Sequence, residues 1–203
     1  LMAVGQERQI LADHDEEGIW VYQAFRPATV AAALAKGTFG KGFTMDRITW
    51  IKPSFGWMLY RSHYASRPRQ EAILRIKLRR SGFDTILRAA VPTAFEPEVF
   101  PSQDAWGRAL RATEVRVQWD PDRDLTLRRL PRRAIQLGLE GSIVQRYVHE
   151  WIVALEDATP LAHAVRDAIE REDPLPPAPI EREYPVDAEL ERTLGMRSGT
   201  APP

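Results

Sequence analysis

Two periods of apolar residues run along this chain, one of two and one near four, and they divide it into short strands and helices. Leu74, Ile76 and Leu78 alternate with Arg75, Lys77 and Arg79, and Val115, Val117 and Trp119 alternate with Glu114, Arg116 and Gln118. Such alternation predicts strands with one face on a core and the other in water. The string IWVYQAF at residues 19–25 mixes apolar and polar residues, which predicts a strand buried on both faces. A shorter strand at 9–12 precedes it, across an acidic turn at 13–18. Pro27 then suits the first turn of a helix, the Ala-rich run to Lys36 continues it, and Gly37 supplies a left-handed cap.

The stretch MDRITWIKPSFGWMLYR, residues 45–61, organises the middle of the chain. Ile48, Thr49, Trp50 and Ile51 predict a buried strand, and Pro53 fits the first turn of a following helix. Phe55, Met58 and Leu59 give that helix one apolar face. Further on, 82–90 predicts a short helix, 91–104 a loop, 120–124 (DPDRD) a turn, and 125–130 and 134–139 two short strands. Helical spacing from Ile143 continues through Trp151, yet Trp151, Ile152 and Val153 are strand formers. The expected division is helix to about residue 149 and strand over 150–156, then a last helix over 160–171. PLPPAP at 174–179 reads as a stiff extended linker, and 181–203 as a loosely held polar tail. The fold class expected is α+β: a single domain over residues 6–172, with a small bent, mainly antiparallel sheet flanked by helices, and a linker and tail over 173–203.

Composition narrows the chemistry. At 203 residues the chain can bury a core unaided, and without a cysteine it has no disulfide, thiol nucleophile or Cys-ligated zinc. There is no apolar run of about 18 residues, so no membrane partner is expected, and the cytoplasm is the expected location. The zero net charge conceals a division: residues 61–88 hold eight Arg or Lys against two acids, and residues 150–191 hold twelve acids against three Arg. Such asymmetry points to an anionic partner for the basic part, or to two solvated faces that neutralise each other.

Candidate chemistry follows from these patterns. A helix start carries unpaired N–H groups, so the start after Lys52 predicts a phosphate site, with Arg47, Lys52, Ser54 and Arg61 around it. Trp50 and Trp57 belong either to the core or to a base-stacking surface. The alternative reading is a non-catalytic nucleic-acid binder using Arg67 and Arg69 in a loop and the row Arg75, Lys77 and Arg79 on a strand. The four histidines lack HxxxH spacing and DPDRD lacks a calcium loop's glycine and distal glutamate, so no metal is expected.

The strings RQILADHDEEGIWVYQAF, MDRITWIKPSFGWMLYRS, WDPDRDL, RAIQLGL and RYVHEWIVALEDAT resemble domain-of-unknown-function family 4291 from about Arg8 to Arg171. More distantly, the order of strand, Ala-rich helix, Gly-Thr-Phe, second strand and late glutamate resembles the ADP-ribosyltransferase fold. That resemblance implies an NAD-dependent transferase, which splits nicotinamide from NAD in a cleft between two small sheets. It implies Tyr22 and Gln23 on the first core strand, a second-strand position within 50–62, and Glu150 as the catalytic carboxylate. Gln23 departs from the His or Arg usual there. The partners implied are a nucleotide or NAD, with a nucleic acid as a candidate acceptor.

Overall fold

The computed structural model describes residues 7–196. Strand β2 (Gly18–Phe25) runs antiparallel to β4 (Ala72–Arg79), which pairs on its other edge with β8 (Ile152–Asp157). A second sheet orders β3 (Thr49–Ile51), β7 (Arg129–Leu139), β6 (Val115–Arg123) and β5 (Ala90–Pro92), antiparallel except for the parallel β5–β6 pair. The short strands β1 (Leu11–Ala12) and β9 (Arg182–Glu183) form a third, antiparallel pair. The two larger sheets meet where the Tyr22 N–H donates to the Lys52 carbonyl over 2.8 Å. At that seam lies helix α2 (Phe55–Ser62), touching both β2 and β6.

Alternation sorts the side chains as the apolar pattern demands. Ile19, Val21, Leu74, Ile76 and Leu78 point into the larger core, with Val30 of α1 (Pro27–Lys36) and Phe83 of α3 (Arg80–Ala89). Tyr22 and Ile73 point the other way, against Phe55, Met58 and Leu59 of α2 and Ala162 and Val165 of α6 (Thr159–Glu170). The architecture is α+β with small, mainly antiparallel sheets. Among the described residues no helix is long and apolar enough to cross a membrane.

Several expectations need correction. Pro53 lies before the helix rather than in its first turn: Ser54 is the N-cap, its Oγ accepting the Trp57 N–H over 3.1 Å. The 120–124 turn is instead the end of β6, irregular between Pro121 and Arg123, and the reversal comes at Asp124–Arg128. Helix α4 (Gln103–Ala112) is additional, and none of its residues is buried. The helix-to-strand boundary lies two residues later than expected: α5 (Ser142–Arg146) passes into a π-helical turn (Tyr147–Trp151), and β8 starts only at Ile152. The polar tail is not loose as far as residue 196. Tyr184, Leu190 and Leu194 are buried in the larger core around β9 and α7 (Ala188–Thr193). Its end, residues 197–203, lies outside the described residues.

The expected wet row on β4 is covered by the chain itself. The Arg75 guanidinium lies 3.9 Å from the Trp20 ring centroid, pairs with Asp13 and Glu156, and donates to the Tyr22 hydroxyl. Lys77 reaches Asp15 at 2.7 Å and Glu17 at 3.1 Å. The acidic turn before β2 therefore folds over two of the three cations and leaves Arg79 exposed.

Candidate functional site

On β3, Thr49 and Ile51 are buried, so Trp50 and Lys52 take the opposite face. Antiparallel pairing sets Trp50 beside Gly138 of β7, and a Cβ at Gly138 would come within 2.9 Å of the Trp50 indole. Glycine there lets the ring lie close on the sheet. Gln136 stands two residues along β7, with Gln118 and Asp120 on the neighbouring β6.

Helix α2 supplies the facing wall. Gly56 brings it onto the end of β6 so closely that a Cβ would sit 2.0 Å from the Arg123 carbonyl oxygen. After Gly56, Trp57 and, one turn on, Tyr60 and Arg61 line the cleft on this side. The result is an open cleft of about 490 Å³ lined by Trp50, Lys52, Trp57, Tyr60, Arg61, Gln118, Asp120, Pro121, Arg123 and Gln136.

Its electrostatics are mixed. The Lys52 amine stands 4.9 Å from the Trp57 ring centroid, and the Arg123 guanidinium 4.0 Å from that of Tyr60. Burial against this wall, with the Arg61 charge nearby, lowers the Lys52 amine from 10.5 to about 8, partly opposed by Asp120. The Asp120 carboxylate accepts from Gln136 Nε2 at 2.5 Å and from Gln118 Nε2 at 3.1 Å, which fixes its orientation. Arg123 Nε is buried and lacks a hydrogen-bond partner.

Beneath the cleft, the start of α2 is occupied by the protein's own carboxylates. The Phe55 N–H donates to Glu181 Oε2 over 2.9 Å, and Ser54 Oγ donates to Asp122 Oδ1 over 2.6 Å. Arg132 Nε donates to the other Asp122 oxygen at 2.8 Å. Burial first, then the Asp122 charge, push the Glu181 carboxyl up to about 8, against the Phe55 N–H. This corrects the expected phosphate site: the helix start is capped from within, and of the cations expected there Lys52 and Arg61 belong to the adjoining cleft.

Of the residues singled out from the sequence, Trp50, Lys52 and Arg61 come together in the cleft. Ser54 is a buried cap and Arg47 an exposed residue before β3. Gln23 is buried, donating to Thr49 Oγ1 at 2.6 Å and accepting from the Tyr147 hydroxyl at 2.7 Å. Tyr22 packs on Phe55, and burial pushes its hydroxyl pKa well up. Glu150 is exposed on the π-helical turn, 3.1 Å from Arg146, and does not line the cleft. Arg67 and Arg69 are exposed in the loop after α2.

Sequence reasoning missed Tyr60, Gln118, Asp120, Arg123 and Gln136. The polar alternation on β6 was visible, but nothing local said that this face meets a helix. No curated protein matches the sequence. The family described as Domain of unknown function (DUF4291) matches residues 9–184, and the chain belongs to that family.

Proposed function

We propose that the cleft binds a nucleotide and that the protein is an enzyme of ADP-ribosyltransferase type with NAD as donor. One observation carries the reading: three aromatic rings, three cations and an oriented carboxylate line a single cleft of about 490 Å³. Aromatic faces stack on any base. Lys52, Arg61 and Arg123 offer charge-assisted bonds to phosphate oxygens, and the buried, partnerless Arg123 Nε is a donor such an oxygen would satisfy. The volume falls within the roughly 300–1,000 Å³ of small-molecule sites. The cleft also borders the seam between two small sheets, the place the resemblance assigns to NAD.

In this reading Asp120, rather than Glu150, faces the positive charge that develops at the ribose as nicotinamide leaves. The two glutamine amides hold it in place, and Trp50 and Trp57 limit the water around it. Arg67, Arg69 and Arg79, exposed outside the cleft, are the cations that remain for a nucleic-acid acceptor, since Arg75 and Lys77 are paired internally.

Nicotinamide release from NAD is the test. Asp120→Asn is expected to slow turnover by about 10²–10³, the usual cost of removing one electrostatic stabiliser. Glu150→Gln is expected to leave it near wild type. The reverse pattern would overturn the assignment of Asp120, and a wild type that neither binds nor cleaves NAD would remove NAD as donor.

A further inference from the structure

The chain holds four lysines against 24 arginines. Arginine stays charged at any working pH, whereas lysine can surrender its proton and act as a nucleophile. Lys36 and Lys41 are exposed, and Lys77 is held charged between Asp15 and Glu17. Lys52 alone of the four stands in a cleft, over an indole face, with no carboxylate in an ion pair with its amine among the described residues. The neighbouring Arg61 and Arg123 already supply fixed positive charge, so a further permanent cation is not what the position adds.

We propose that Lys52 is a nucleophilic amine that forms a reversible imine with aldehydes carrying a phosphate, open-chain sugar phosphates among them. Its nitrogen lone pair adds to the carbonyl carbon, forming the C–N bond, and the ammonium proton passes to the carbonyl oxygen. The carbinolamine then loses its hydroxyl as water and its remaining N–H proton, leaving C=N. No oxidation or reduction occurs, and hydrolysis reverses the sequence. Arg61 and Arg123 would hold the phosphate, and the lowering of the amine to about 8 keeps a usable neutral fraction near neutral pH. The inference shares the phosphate-binding part of the nucleotide reading and is independent of NAD.

Pyridoxal 5′-phosphate is the probe, an aromatic aldehyde with one phosphate, trapped by cyanoborohydride, which reduces C=N to a stable secondary amine. At about pH 7.5, peptide mapping is expected to find Lys52 modified about tenfold or more faster than Lys36 and Lys41. Pyridoxal without the phosphate should react at Lys52 about tenfold more slowly, and Arg61→Gln should narrow that gap. Lys52→Arg, checked for folding by thermal melting, should abolish the fast phase. Modification spread evenly over the lysines, or a Lys52 rate indifferent to the phosphate, would overturn the proposal. Adenosine monophosphate separates the two readings: if it protects Lys52, nucleotide and aldehyde share the cleft. If Lys52 is labelled equally fast in its presence, the imine stands and the nucleotide reading fails.

Discussion

At Glu181 a single buried carboxyl ties the C-terminal segment to the helix that walls the cleft. Its Oε2 accepts the Phe55 N–H in the first turn of α2, beside Asp122. With the folded value raised from 4.5 to about 8, the folded protein keeps a proton that the unfolded chain releases across that window. Stability contributed by this group is therefore full below 4.5 and is lost as pH rises through about 8. Glu181→Gln keeps the acceptor oxygen and removes the titration. Thermal melts of both proteins from about pH 5 to about pH 8 should show wild type losing stability relative to the variant as pH rises. Parallel curves would mean that Glu181 is ionised in the fold.

Among the elements, α2 is where sequence and structure agree best and where the misreadings cluster. Strand β3 followed by a helix was legible from Thr49 to Ser62, because β-branched residues and an apolar helical face are local signals, whereas the capping role of Ser54 was not read. What the helix start binds was not legible, since Glu181 reaches Phe55 from 126 residues away. Gln118, Asp120 and Gln136 were equally hidden, because only the pairing of Ile51 with Leu137 and of Gln118 with Gln136 carries them to Lys52. Gly56 shows how tightly this arrangement is drawn. Its neighbour is the Arg123 backbone carbonyl, which cannot rotate away as a side chain can. Gly56→Ala is expected to cost about 1–3 kcal/mol in denaturant unfolding, as an added methylene does in a packed contact, and to weaken nucleotide binding by shifting the cleft wall. Wild-type stability and affinity would show that α2 can move off β6 freely.

Across the whole molecule, the larger core runs from Ile10 to Leu194, so the last described segment belongs to the structure rather than trailing from it. This was hard to read from the sequence, because Val186, Leu190 and Leu194 keep helical spacing but stand alone among charged residues over a short segment. Leu194 is fully buried, and its carbonyl accepts the Trp119 indole N–H at 2.9 Å. Leu194→Ala should therefore cost about 2–5 kcal/mol, read by chemical unfolding, where an unanchored tail would show almost no change. The same joining of distant parts makes the cleft, whose walls come from β3, α2, β6 and β7.

The claim that this cleft is a nucleotide site is tested most directly by equilibrium binding of adenosine monophosphate and NAD, followed through Trp50 and Trp57 fluorescence and by calorimetry. Saturable quenching is expected, with Arg61→Gln weakening affinity about tenfold or more, the worth of one charge-assisted phosphate contact. Arg79→Gln, on an exposed cation outside the cleft, should bind as wild type does. Binding that Arg79→Gln weakens and Arg61→Gln leaves intact, or no binding by the wild type, would contradict the account.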